Sequence, residues 1–577
     1  MDKNNREYNY IIPEIKNWPI FTLSRDRQEF IEKLTDYTVN RIKKTAKDKL
    51  SEDLAKVIYQ ERTRVKENPW KVDPPHEIDF WNRLRKKLVK RSLDVEEAEA
   101  DADKNNEEIL RTIVNRYSEE IAGNFKISTY KFARKFLTAG LNRLLNTASN
   151  RNFRRFYSAR YKLRERLILH GDIDLLRSVG KDSTMVIVPT HYSNLDSVML
   201  GWAIDSIGLP AVSYGAGLNL FNNPLMAYYF NRLGAYKLDR RKKNSIYLDT
   251  LKSFSTLTIE RGTNSLFFPG GTRERTGQIE KKLKMGLLGT VTEAQRSLYE
   301  DGTNKKVVVV PLVIGYNFVL EAESLINDHL KREGKELYIS ESDNFSFLKT
   351  IHFLWKFFAG SSEIQISFGK PIDVLGNFVD KNSNSIDERG NIIDLKEYFI
   401  SNGTVSENLQ RDMEYTKILA DKIVDRFHVE NIVLSSHLVA FTAFNIIKSS
   451  NSNKDLFRLM RIPDEETLIE KEVLEAAVID VLKILNTLKD EGKLQLSVTV
   501  SHGNVKKIID LGINNMEIYH AFAPLQRNEN GHYISPNLKL LYYYHNRMLG
   551  YSVEENIRWA NYQILETPEK PIAQPTT

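Results

Sequence analysis

Met185-Val-Ile-Val-Pro189 is a short apolar run that ends on a proline, and the pattern returns in Ser265-Leu-Phe-Phe-Pro269 and Val307-Val-Val-Val-Pro311. Runs of this length read as strands buried on both faces, as in a parallel sheet covered by helices. Helical patterns separate them, at Leu195 to Ile207 and Tyr247 to Glu260. Strand and helix in alternation predict an α/β layer fold with a central, mainly parallel sheet. Glu363-Ile-Gln-Ile-Ser-Phe-Gly369 alternates and predicts a further strand. Outward from this middle third, both flanks read as helical. The expected organisation is a helical N-terminal domain over 1–150, an α/β domain over 151–385 and a helical C-terminal region over 386–577. The polar stretch Gly376 to Gly390 reads as the loop that closes the middle part, and no internal repeat is evident.

The chain has 577 residues, enough for a large core, and no cysteine. That excludes disulfides, thiolate metal sites and a cysteine nucleophile. The net charge of +7 and a pI near 9.0 permit an anionic partner without choosing one. Zinc-finger spacing, an aromatic RNA-recognition signature and a long basic tail are all missing, which sets nucleic acid aside as a partner. The polar start MDKNNREYNY has no secretory h-region. No run reaches transmembrane length; Ile432 to Ile447 comes nearest and reads as a buried helix.

Thr190-His-Tyr-Ser-Asn-Leu-Asp196 follows the first strand at once. His191 and Asp196 would point about 140° apart on one continuous helix, so they meet only if the chain turns between them. A strand end running into a helix start supplies that turn. An imidazole can take a proton from an alcohol, and a carboxylate on its other nitrogen would fix the tautomer. The plainer reading is Ser193-x-x-Asp196 as a capping box. Two later segments place arginines beside glycine turns: Gly234-Ala-Tyr-Lys-Leu-Asp-Arg240-Arg241, and Phe268-Pro-Gly-Gly271-Thr272-Arg273-Glu274-Arg275-Thr-Gly277. A guanidinium fork suits phosphate oxygens. The plainer readings are a solvated charge run and an ordinary turn after a strand.

Taken in order, with Val310 to Tyr316 as a fourth block, these segments resemble the motifs of the glycerolipid acyltransferase superfamily over about Lys181 to Asp373. Tyr214 to Leu220, Asn223-Pro-Leu225, Arg273-x-Arg275-Thr-Gly277 and Ile314-Gly-Tyr316 look most like its bacterial and mitochondrial glycerol-3-phosphate acyltransferase branch. The resemblance implies that His191 is the general base and Asp196 its partner. It implies that Arg240 or Arg241, with Arg273 and Arg275, holds a substrate phosphate. It assigns Gly271, Thr272 and Glu274 to the loop around the glycerol backbone, and Pro311 to the acyl-donor block. The implied reaction moves a fatty acyl group from acyl-CoA or acyl-carrier protein to glycerol 3-phosphate in phospholipid synthesis, with no other cofactor and no metal. The rivals are a lysophospholipid (1-acylglycerol-3-phosphate) acceptor, or a non-catalytic lipid-binding protein of the same fold.

Gly270 stands where that pattern usually has Glu, and Glu274 where it has Ser. The expectation is that Glu274 folds back and supplies the missing carboxylate. The protein is expected on the cytoplasmic side of a membrane, such as a cell inner membrane, held peripherally. The candidate contacts are Lys349 to Gly360 (KTIHFLWKFFAG) and the basic stretch around Phe132 to Leu144, within the basic amphipathic run from Phe125 to about His170.

Overall fold

The computed structural model of the protein describes residues 8–46, 49–92, 99–148, 166–333, 363–518 and 520–565. Six helices come first: α1 Pro19–Arg25, α2 Arg27–Ala46, α3 Leu50–Glu67, α4 Glu77–Ser92, α5 Glu99–Ile121 and α6 Ile127–Ala148. Helix α2 shows why they pack. Phe30, Ile31, Leu34, Thr38, Val39 and Ile42 recur at three- and four-residue steps and are buried, while the charged residues between them face water.

A seven-stranded sheet occupies the middle. Its strands are β1 Leu167–His170, β2 Ser183–Pro189, β3 Ser213–Gly217, β4 Ala235–Leu238, β5 Ser265–Leu266, β6 Lys306–Tyr316 and β7 Ile364–Phe368, in spatial order β1-β7-β6-β2-β5-β3-β4. The neighbours from β6 to β4 all pair parallel. Strands β1 and β7 pair parallel with each other, and β7 runs antiparallel to β6. Helices α7 Ile173–Asp182, α8 Asp196–Ser206, α9 Pro224–Arg232, α10 Ser245–Glu260, α11 Met285–Glu300 and α12 Ala322–Glu333 form the rest of the layer. The chain is thus α/β in its middle, with a mainly parallel sheet and helical flanks.

Several sequence expectations change here. At the far end of the stretch from Phe125 to His170, Leu167–His170 is the edge strand β1. The third apolar run does not stop at Pro311, because β6 continues to Tyr316. Pro311 is tolerated inside a central strand because β7 bulges there. Val309 pairs with Ile372 and Leu312 with Phe368, so the partner spends one extra residue, and the Pro311 carbonyl accepts from Gly369 N–H at 2.8 Å. Lys349 to Gly360 and Arg151 to Glu165 lie outside the described residues.

The stretch after β7 is neither a plain loop nor free of repetition. Asp373, Asp380 and Asp387 each begin a turn that Asn377, Asn384 and Asn391 close. In each turn the Asn N–H donates to the Asp Oδ1 and the Asn amide to Oδ2, at 2.8–3.1 Å. The residue before each Asn, Gly376, Ser383 or Gly390, has positive φ. The seven-residue spacing stacks β8 Phe378–Val379, β9 Ser385–Ile386 and β10 Ile392–Ile393 into a small antiparallel meander. Helices α13 Leu409–Glu430, α14 Ser435–Ser450, α15 Lys471–Asp490, α16 Val505–Glu517 and α17 Leu538–His545 follow.

The apolar interior does not break at the expected boundaries. Phe30, Trp81, Ile113 and Tyr117 of the N-terminal helices share one cluster with Tyr236, Ile246, Tyr247 and Phe254 of the middle. The sheet residues share another with Leu438, Phe441 and Phe444 of α14 and Tyr543 of α17.

Candidate active site

Four strand ends meet at one edge of the sheet, the edge where doubly wound folds place ligands. His191 follows β2, Arg240 follows β4, the loop 267–284 follows β5, and Glu321 follows β6. The chain turns between Pro189 and α8, which carries Asp196 back toward His191. Asp196 Oδ2 lies 2.8 Å from His191 Nδ1 and accepts the backbone N–H groups of Tyr192 and Ser193 at 2.8 and 2.9 Å. Tyr316 O–H donates to Oδ1 at 2.7 Å. Asp196 is fully buried. The expected capping box is not formed: α8 starts at Asp196 with Leu195 as its N-cap and no side-chain cap, and Ser193 Oγ accepts the Leu195 N–H at 3.2 Å while donating to Glu321. The Asp196 carboxylate instead ties the turn before the helix to the imidazole.

With Nδ1 held by Asp196, Nε2 is the ring nitrogen left to take a proton. The His191 ring lies flat on Phe268, centroids 3.9 Å apart and 19° from parallel, which restricts its rotation. The His191 side chain keeps 14% exposure, so a substrate hydroxyl can reach it.

The arginines separate into two kinds. Arg240 is exposed and donates to the Gly271 carbonyl at 2.9 Å. Its pKa is lowered by partial withdrawal from water and then by Arg273 and Arg275, so the three guanidiniums crowd one region. The Arg275 pKa is also lowered, first by withdrawal from water and then by Arg332. Mutual repulsion of this kind is relieved when an anion binds. Arg241 points away. It makes paired bonds to Asp239 at 2.9 and 2.8 Å, bonds Asp73, and lies over the Trp70 ring at 4.0 Å. Arg241 is thus already neutralised by two carboxylates, whereas Arg240 donates to a backbone carbonyl.

Gly271 has φ +77°, and a side chain there would collide with Lys284, whose Nζ lies 2.8 Å from the Cβ position. Thr272 sits half-buried between Gly271 and Arg273. Arg273 approaches Glu321 at 3.4 Å. Glu321 in turn accepts Ser193 O–H at 2.9 Å and Asn194 N–H at 3.1 Å, tying the arginine loop to the turn after His191. Glu274 does not face Gly270. Its carboxylate accepts the N–H and O–H of Thr276 at 3.0 and 2.7 Å, while its own N–H donates to the His191 carbonyl at 2.7 Å. The carboxylate beside Gly270 belongs to Glu280.

Sequence reasoning missed Glu280, Tyr316 as a donor to Asp196, Glu321, Lys284 and the C-terminal backing of the site. Asn546 donates to the Thr276 carbonyl at 2.9 Å, and Arg547 stacks over Tyr192 at 4.0 Å while donating to the Ile314 carbonyl at 2.9 Å. Only Tyr316 lay in a segment already singled out. Glu280 and Lys284 follow shortly after the Phe268–Gly277 segment but carry no motif spacing, and Glu321, Asn546 and Arg547 are distant in sequence.

Residues 170–315 match the family model described as Acyltransferase. The chain is 25% identical to the glycerol-3-phosphate acyltransferase of Pseudomonas aeruginosa (strain UCBPP-PA14) over 299 residues, 52% of this chain and 31% of that protein. It is 25% identical to the enzyme of the same name from Alteromonas mediterranea over 390 residues, 67% of this chain and 43% of that protein. A third such enzyme, from Pseudomonas fluorescens (strain SBW25), matches at 25% identity over 49% of this chain and 30% of its own length. The chain thus spans about a third of the length of most of these relatives. The middle of this chain thus matches an acyltransferase family model and is similar to part of glycerol-3-phosphate acyltransferases.

Proposed function

We propose that the protein transfers a fatty acyl group from acyl-CoA or acyl-carrier protein to the hydroxyl of glycerol 3-phosphate. The observation that carries this reading is the His191–Asp196 pair at 2.8 Å, set beside the Arg240, Arg273 and Arg275 group. The acceptor phosphate binds the guanidiniums, which orients its free hydroxyl toward His191 Nε2. His191 takes the hydroxyl proton as the oxygen attacks the thioester carbonyl. A C–O bond forms, the tetrahedral intermediate collapses with loss of the C–S bond, and His191 returns the proton to the thiolate. Asp196 steadies the imidazolium meanwhile. No step requires a covalent acyl-enzyme. The test is acyl transfer by the purified full chain, with glycerol 3-phosphate and lysophosphatidate offered separately and in competition, and with H191A as control. Transfer to glycerol 3-phosphate that H191A lacks supports the reading; preference for lysophosphatidate shifts the acceptor; no transfer with any donor removes it.

The same reading places the protein peripherally on an anionic membrane, on its cytoplasmic side. Phe132 and Phe136 of α6 are 53% and 63% exposed and stack at 6.0 Å, with Leu225 and Tyr228 of α9 also exposed. Exposed Lys126, Lys131 and Lys135 surround them. Aromatic rings among lysines suit the interface of an anionic bilayer. No helix among the described residues is long and apolar enough to cross a membrane. Flotation with phosphatidylglycerol vesicles checks this: F132S/F136S folds and floats less than wild type, and equal flotation overturns the assignment.

A further inference from the structure

Glu280 stands at the centre of the site and takes no part in the steps above. It lies between β5 and α11 and is 4% exposed. Its Oε1 accepts the N–H of His191 at 2.9 Å. On its other side, Cγ and Oε1 lie 3.4 and 3.6 Å from where a side chain on Gly270 would begin. Oε2 is buried with no hydrogen-bond partner among the described residues. Burial pushes the Glu280 pKa up to about 7, with Glu274 adding to the rise and the His191 N–H and Arg547 opposing it. A buried carboxyl with one idle oxygen is a poor choice for packing alone, because an apolar side chain would fill the space without the desolvation penalty.

Gly270 lies beside Glu280. Its φ lies outside the left-handed region, and the contacts a Cβ would make are of ordinary length. The backbone therefore does not demand glycine at 270. A side chain at 270 would instead begin directly beside the Glu280 carboxyl.

We infer that Glu280 is a positioning residue for the base: it holds the backbone of His191 against the Phe268–Gly271 loop, serving from position 280 as the carboxylate that the loop lacks at position 270. The inference rests on the acyl-transfer reading and deepens it. The two positions adjoin, which makes the idea testable by exchange.

The full-length protein is assayed as wild type, E280Q, E280A and G270E/E280A, with kcat and KM measured for donor and acceptor. E280A is expected to lose about 10²-fold in kcat, as a displaced base does, with donor KM changed less than about twofold. E280Q keeps an acceptor for the His191 N–H and stays within about tenfold of wild type. G270E/E280A returns a carboxylate to the same space and regains about tenfold or more over E280A. E280A at near wild-type kcat, or a double variant no better than E280A, overturns the inference while the acyl-transfer reading stands. An inactive wild type removes that reading itself. Should E280A fail to fold, the double variant decides: folded and active supports the inference, and anything else overturns it.

Discussion

At Asp196 one side chain braces the turn before α8 and orients an imidazole, and the two tasks respond differently to mutation. Asp196→Asn keeps the size, and its amide oxygen can still take the Tyr192 and Ser193 N–H groups and His191 Nδ1 while its NH2 faces Tyr316 Oη, but the negative charge is lost. Weakening these charge-assisted bonds costs about 1–3 kcal/mol of stability. Acyl transfer at a temperature where the variant is fully folded should still fall about 10²–10⁴-fold, because the imidazolium loses its carboxylate. His191→Ala should fall by a similar factor with little change in thermal midpoint, since the ring keeps some exposure. A folded H191A with near-normal turnover removes His191 as base. Glu274→Ser should be nearly silent in acceptor KM, because Glu274 serves the Thr276 turn, and serine can still accept from the Thr276 N–H. A sharp loss in acceptor affinity would return Glu274 to the substrate.

At the scale of elements, the loop between β4 and α10 is held from the N-terminal side. Asp73, just after α3, binds both Arg241 and Arg64, and Glu120 of α5 pairs with the fully buried Lys242. Tyr117 of α5 and Glu61 of α3 both bond Asn244, which caps α10. The N-terminal helices therefore set the position of Arg240 by gripping the residues next to it. Arg240→Ala and Arg241→Ala should then part company. R240A should raise the acceptor KM with the thermal midpoint unchanged. R241A should lose about 3 kcal/mol, because it leaves the buried Asp239 carboxylate without its guanidinium, while Asp73 keeps Arg64. Differential scanning calorimetry beside steady-state kinetics separates them. An unchanged midpoint in R241A would contradict the structural role.

For the whole molecule, pH should act through buried histidines behind the site. His545 lies between Phe441 and Phe444, stacked on the first at 5.2 Å, and burial holds its pKa down to about 3. His437, also buried, donates from Nε2 to the Tyr316 carbonyl at 3.1 Å, and its pKa is likewise held down to about 3. A depressed folded pKa means that the unfolded chain binds the proton first. The stabilisation is present above about pH 6.5 and is lost as pH falls from there toward 3. Each such histidine removes roughly 1 kcal/mol per pH unit in that window. His545→Phe should therefore narrow the loss of thermal midpoint between pH 6.5 and 4.5 relative to wild type. An identical pH dependence in the two proteins would show that His545 is not buried as a neutral ring.

The apolar runs at 185, 265 and 307, with helical spacing between them, were enough to specify the α/β layer, because a strand covered on both faces carries its burial in its own composition. The same holds for His191 and Asp196, since both lie on one short turn whose geometry is local. Edge strand β1 was not legible, because a half-covered strand among basic residues has no distinctive pattern. The meander at 373–394 went unread for a different reason: its Asp–Asn turns show only in which side chain closes on which N–H. The division between Arg240 and Arg241 was equally hidden, since it depends on Asp73, which lies 168 residues away from Arg241. Glu280, Glu321 and Arg547 reach the site only because several strand ends and the C-terminal helices converge on it. Sequence alone determined the covered strands of the sheet and the local meeting of His191 and Asp196; tertiary structure decided which charges are spent on one another, because pairing of charges depends on distance in space.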